Sequence, residues 1–180
     1  MKIKQIFKKD YPNNKKEIFT YISEYYYDLN LTKKPKDEGW IFEWIKKPFK
    51  EPFVKNGEGV LFEDIKKNAE YYVLLNDEEH EIGVLIIEKL QWNNTTQIWD
   101  IIIDPKYQRC GFGTNLLEFA EKRARLWGCR AMVLECQSSN YNAIRFYFSY
   151  GFELIGFDLI SYSNQDIQKH EVRFKIGKTL

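Results

Sequence analysis

The stretch that most limits the fold runs from Ile98 to Ala124, "IWDIIIDPKYQRCGFGTNLLEFAEKRA". A β-branched apolar run ends at Pro105, as a strand should. Gly111 and Gly113 follow, one residue apart. Leu116, Leu117, Ala120 and Ala124 then recur at helical spacing, and Gly128 is a natural stop. The spacing predicts a strand, a glycine turn and a helix from about Thr114 to Trp127. The amides of Cys110, Gly111, Gly113 and Thr114 would stand at the helix start, where no intrahelical acceptor exists. With the helix dipole they suit a pyrophosphate. The loop is not a Walker A motif, because no Gly-Lys-Ser/Thr follows. Nor is it the dinucleotide fingerprint, which needs a glycine where Leu116 stands. The glycines alone leave phosphate binding and a plain tight turn equally open.

Around this unit the chain changes character. Up to about Ala69 it is lysine-rich and aromatic. Ile18, Tyr21, Ile22, Tyr25 and Leu29 fall at helical spacing, which predicts a helix over Asn14 to Leu29. "GWIFEWIKKPF" and "LFEDIKKNAE" read as short helices, with Pro48 and Pro52 breaking the chain between them. From Tyr71 strands dominate. "YYVLLNDEEHEIGVLIIEKL" reads as two strands joined by the polar turn Asp77 to Glu81, and "TQIWDIIID" as a third. After the glycine turn and helix come the strand "AMVLECQ", a helix in "SNYNAIRFYFSYG", and strands in "FELIGFDLISY" and "HEVRFKI". The order β-β-β-α-β-α-β-β predicts an α/β fold with a mixed, mostly antiparallel central sheet, flanking helices and one βαβ crossover, not a doubly wound parallel sheet.

Composition narrows the chemistry. A chain of 180 residues, 44% hydrophobic and 29% charged, is an ordinary globular length and mix for one domain. With 27 basic against 26 acidic residues there is no general attraction to nucleic acid, so any anion site must be local. Three scattered cysteines (Cys110, Cys129, Cys136) and two histidines suggest neither a disulfide framework nor a metal site. No apolar run approaches the ~18 residues of a membrane helix, and the lysine-rich start lacks the apolar core of a secretory signal. The expected compartment is therefore the cytoplasm, with no membrane partner.

Two motifs in this context resemble the GNAT superfamily of acetyl-CoA-dependent N-acetyltransferases. The first matches the family's Gln/Arg-x-x-Gly-x-Gly/Ala loop at Gln108, Gly111 and Gly113. The second matches Asn-x-x-Ala-x-x-Phe/Leu-Tyr-x-x-x-Gly-Phe at Asn140, Ala143, Phe146, Tyr147, Gly151 and Phe152. The resemblance covers roughly Tyr71 to Phe157. Within the superfamily, "VLECQSSNYNAIRFYFSYGFELIGFDLISYSN" is similar to the streptothricin acetyltransferase-like branch.

The resemblance implies a single GNAT domain over 1–180. Its parts would be a variable acceptor-side part at 1–70, an acetyl-CoA-binding core at 71–157 and C-terminal strands at 158–180. It implies direct transfer of an acetyl group to a primary amine of a small molecule, an aminoglycoside or streptothricin-type antibiotic being the acceptors in view. Acetyl-CoA is the co-substrate, no metal takes part, and a homodimer is admitted. The turn Gln108, Arg109, Cys110, Gly111, Phe112, Gly113 and Thr114 would hold the phosphates. The backbone of Ile101, Ile102 and Ile103 would pair with the pantetheine arm, and Asn140 would contact the cofactor or serve as a helix cap. Tyr147 matches the family tyrosine near the thioester sulfur. A phenol with a reference pKa near ~10 is protonated at neutral pH and can act as the acid.

Asp100 and Glu135 are carboxylates in otherwise apolar strands. Each would be paired, face a cleft, or serve as the base or as an anchor for the acceptor. Without a Cys-His pair, direct transfer is preferred to a ping-pong route. Two alternatives share the fold: a protein or peptide N-acetyltransferase, and a non-catalytic CoA-binding regulatory protein.

Overall fold

From Glu70 onward the expected order is the order the chain forms. The computed structural model describes residues 1–180 except Ile65 and Lys67, and except the side chains of Glu17, Ile18 and Asp37. Among the described residues the strands are β1 (Lys2–Ile6), β2 (Lys16–Lys33), β3 (Trp40–Val60), β4 (Glu70–Leu75), β5 (Glu81–Leu90), β6 (Thr95–Ile103), β7 (Ala131–Gln137), β8 (Glu153–Asp158) and β9 (Arg173–Thr179). The α-helices are α1 (Phe112–Leu126) and α2 (Tyr141–Ser149). The chain divides into two compact units. The first is Met1–Phe19, Gly57–Leu134 and Gly177–Leu180; the second is Thr20–Asn56 and Glu135–Ile176.

In the first unit the strand order is β1-β4-β5-β6-β7. The neighbours β1/β4, β4/β5 and β5/β6 are antiparallel. β6 and β7 are parallel, so the chain between them must cross over, and α1 is that crossover. Strand alternation gives the sheet two apolar faces. Tyr71, Val73 and Leu75 share one face with Ile6, Val84 and Ile86, covered by Leu61 and Phe62. On the other face Tyr72 meets Phe119 of α1 edge-on at 4.7 Å. The α1 stripe of Leu116, Leu117, Ala120 and Ala124 is fully enclosed. Each buried leucine there contributes about 1.5–3 kcal/mol.

The second unit holds α2, the strand order β7-β9-β8 and most of a two-stranded ribbon, β2 with β3. An isolated ribbon is marginal in water, and this one is fastened inside its unit. Tyr21 donates its hydroxyl to Gln137 Oε1 at 2.8 Å and lies 2.9 Å from Ser139 Oγ. Tyr27 N donates to Ser138 O at 3.0 Å. Trp44 stands edge-on to Phe174 at 4.4 Å.

The ribbon overturns two sequence expectations. The helix expected over Asn14 to Leu29 is the strand β2, and "GWIFEWIKKPF" begins β3 rather than forming a helix. Along β2 Tyr21 and Ser23 alternate with exposed Ile22 and Glu24, Tyr25 to Leu29 are all half-buried, and Ile22, inward on a helical reading, is 57% exposed. Aromatic and β-branched residues fit a pleated surface, and pairing with β3 decides the matter. Pro48 and Pro52 do not break β3, because each strand of a two-stranded sheet has a free edge that needs no amide. In "LFEDIKKNAE" the described residues up to Ala69 form turns and bends rather than a helix, and Glu70 opens β4. Ile65 and Lys67 of that stretch lie outside the described residues. The strand β1 had no clear signal.

Candidate active site

The glycine turn grows out of the end of β6. Within the first unit β6 pairs with β7 at Thr95–Ala131, Thr96–Met132 and Gln97–Val133. It then continues to Ile103 paired with β5. Opposite β5, Ile86 faces Asp100 and Ile87 faces Ile98, so Trp99 is an extra residue, a β-bulge. Its indole Nε1 donates to Glu88 Oε2 at 2.9 Å. A bulge bends the strand and re-aims the side chains beyond it.

The register fixes which backbone groups are on offer. Asp104 N donates to Ile82 O at 2.9 Å. Residues two apart share a side in an antiparallel ladder. Asp100 and Ile102 therefore turn their backbone groups toward β5, and Ile101 and Ile103 turn theirs to the opposite edge. The expectation that all of Ile101 to Ile103 could pair with a ligand narrows to the alternate residues. The carbonyl of Ile103 accepts Gln108 Nε2 at 3.0 Å, which ties the leading residue of the glycine loop to the strand end.

Beyond a short turn capped by Asp104, whose Oδ1 accepts Lys106 N at 2.9 Å, the backbone turns left-handed twice, at Arg109 (φ 63°) and Gly111 (φ 84°). Arg109, Cys110 and Gly111 are exposed. A Cβ at Gly111 would meet nothing within 4 Å. Glycine is needed there for its backbone angle, and the space beside it is open. α1 starts at Phe112, two residues before the expected point, so Gly113 and Thr114 lie in its first turn. No side chain caps this helix. Its first amides have no intrahelical partner and point along the positive end of the dipole. Such a turn can receive an anion.

The second motif lies in the second unit. Asn140 is the N-cap of α2 and accepts Ala143 N on its side chain at 3.3 Å. At the other end Phe152 N donates to Tyr147 O at 3.1 Å and Gly151 N to Phe148 O at 3.1 Å, with Gly151 at φ 92°. This is a Schellman closure. It explains the Tyr-x-x-x-Gly-Phe spacing: glycine supplies the left-handed turn, and Phe152 returns to pack its ring 5.9 Å from that of Tyr147. Tyr147 is 8% exposed.

Both acidic candidates are ion-paired. Asp100 Oδ2 lies 2.5 Å from Lys66 Nζ. Glu135, an outward position on β7, lies 3.0 Å from Arg173 Nη1, which also bridges Asp158 through Nη2 at 3.0 Å. Burial pushes the Cys136 thiol up to about 12, so it stays protonated. Cys110 donates weakly to Gln108 O at 3.5 Å. Sequence reasoning missed Lys66 and the bulge at Trp99. One lysine in a lysine-rich segment carries no mark, and a bulge is a property of two strands together. Among the described residues no cluster of His, Cys, Asp and Glu is arranged to hold a metal, and no helix is long and apolar enough to cross a membrane.

Known proteins are similar to this chain in sequence and in fold. A model of the acetyltransferase (GNAT) family matches residues 39–152. Streptothricin acetyltransferase A of Bacillus subtilis (strain 168) is 30% identical over 135 residues, which span 72% of this chain and 76% of that protein. The crystal structure of a nourseothricin acetyltransferase superposes with a TM-score of 0.75 at 20% identity, covering 99% of this chain and 97% of its own. A structure from Bacillus anthracis str. Ames, assigned provisionally as a streptothricin acetyltransferase and solved with acetyl coenzyme A, gives a TM-score of 0.76 at 24% identity, covering 99% and 96%.

Proposed function

Because the chain belongs to the acetyltransferase (GNAT) family, we propose that it carries the acetyl group of acetyl-CoA directly onto a primary amine of a streptothricin-type antibiotic. The observation that carries the reading is the continuous path in the first unit: the outer edge of β6 leads through Gln108 and a doubly left-handed loop into the uncapped start of α1. That path offers strand-like hydrogen bonding followed by an anion cradle, which fits an amide-bearing arm ending in a pyrophosphate. Acetyl-CoA supplies an activated thioester.

Each residue then has a defined task. The amides of Cys110 to Thr114 hold the phosphates, with Arg109 adding charge. Ile101 and Ile103 hold the pantetheine arm through their outward backbone groups. Tyr147 donates the proton that the leaving sulfur needs. Asp100 receives the acceptor amine, and Glu135, locked to Arg173, keeps the strand end in place. Asn140 serves first as the cap of α2. Residues 1–70 form the acceptor side of a single functional domain acting in the cytoplasm. The antibiotic class follows from the names of the relatives, two of whose structures cover 99% of the chain.

The test is CoA release from acetyl-CoA across streptothricin, aminoglycosides, polyamines and short peptides. Release with streptothricin supports the reading. Release only with a peptide replaces the acceptor, and silence on all amines with intact acetyl-CoA binding replaces catalysis with sensing.

A further inference from the structure

Lys66 is buried, 8% exposed, in a chain whose other lysines mostly reach solvent. Lysine is almost never enclosed unless its ammonium is paired. Here Nζ lies 2.5 Å from Asp100 Oδ2 and 3.6 Å from Glu63 Oε2. The backbone of Lys66 is also fixed. Its amide donates to Glu63 O at 3.1 Å, and its carbonyl accepts Ala69 N at 3.2 Å and the Tyr71 hydroxyl at 3.3 Å. The residue lines a cavity of about 310 Å³ together with Phe62, Glu63 and Tyr71. Asp100 immediately follows the bulge at Trp99, on the same strand that offers Ile101 and Ile103 at its outer edge.

The ion pair is half-buried, with Lys66 enclosed and Asp100 33% exposed, and such a pair is weak support for stability, because desolvation and solvent screening offset most of its attraction. A well-packed apolar pair at these positions would hold the fold as well. What the pair does provide is direction: one carboxylate oxygen is held at a fixed point by an ammonium that cannot wander. We propose that Lys66 is a positioning residue, which engages Oδ2 of Asp100 so that Oδ1 meets the acceptor amine in one orientation. This rests on the reading of Asp100 as the group that receives the amine. A lysine supplied from outside the sheet, on the segment between β3 and β4, thereby sets the geometry of a carboxylate on β6.

The experiment is a double-mutant cycle on the full chain with K66M, K66R, D100N and D100N/K66M. Steady-state kinetics use the panel amine that the unaltered protein turns over, and melting temperatures are recorded alongside. The expected result is a fall of about 100-fold in kcat/KM for the amine in K66M, as a misaimed group gives, with the KM for acetyl-CoA unchanged. K66R recovers most of the loss. In the D100N background K66M brings no further fall, the mark of two residues acting as one unit. A K66M protein that melts lower but turns over normally overturns the proposal, since its lysine is then structural. An equal fall in both backgrounds overturns it too. If K66M does not fold, K66Q and D100N/K66Q complete the cycle, and equal losses in the two backgrounds count against it. D100N with undiminished turnover, or no turnover of any amine by the unaltered protein, instead removes the reading beneath it.

Discussion

The carbonyl of Tyr147 accepts the amide of Phe152, and the Phe152 ring packs back onto Tyr147. The backbone and ring of this tyrosine are therefore held whatever its hydroxyl does. Tyr147→Phe should fold and bind acetyl-CoA normally, yet lose about 100-fold or more in kcat, the scale of general acid catalysis. Unchanged turnover would remove the role. The cysteines give a second check at this scale. Cys110 is exposed, Cys129 and Cys136 are buried, and burial holds the Cys136 thiol up at about 12. A thiol reagent at pH 8 should label one cysteine in the native protein and three after denaturation. Native labelling of Cys136 would contradict its placement. The places of Tyr147 and Asn140 on α2 were legible in the sequence because a family motif marks both, and its spacing fits a helix cap and a Schellman closure, which are local. Lys66 was not, because its meaning lies in a partner, Asp100, distant along the chain.

Among the elements, the glycine loop answers most directly to a single change. Gly111→Ala places a Cβ in open space but at φ 84°, so the cost is backbone strain of about 1–2 kcal/mol. If the loop relaxes to escape it, the anion cradle is lost. Acetyl-CoA binding measured by calorimetry should weaken by about tenfold, the equivalent of ~1.4 kcal/mol. Equal affinity would show that the cradle lies elsewhere. The helix α1 could be read from periodicity because it packs one stripe inward, whereas β4 and β5, buried on both faces, were legible as apolar runs bounded by polar turns. The ribbon was not. Its Ile18, Tyr21, Ile22, Tyr25 and Leu29 fit a helix as well as a strand, and the choice was made by pairing with β3, which no local window contains. The outward turn of Ile101 and Ile103 was likewise hidden, since it depends on the register with β5.

For the molecule as a whole, acid is the informative stress. Asp166 is enclosed; burial alone would raise its pKa, but the Tyr162 amide at 2.8 Å, the Ser163 hydroxyl at 2.8 Å and neighbouring amides outweigh that and leave it lowered. Glu81 follows the same pattern, with burial overcome by hydrogen bonds from Lys15 and Tyr11. A depressed carboxylate stabilises the fold fully above its unfolded pKa, near ~4, and loses that contribution as pH falls through its folded value. These two groups lie one in each unit. The melting temperature should therefore hold steady down to about pH 5 and fall below about pH 4. Asp166→Asn should flatten that fall, and an unaltered acid slope would contradict the assignment. The central claim concerns chemistry, and one measurement reaches it directly: mass spectrometry of streptothricin incubated with the protein and acetyl-CoA. The account predicts a product bearing one acetyl group on an amine, formed only when both protein and acetyl-CoA are present. Streptothricin recovered unmodified, from a protein shown to bind acetyl-CoA, would contradict it.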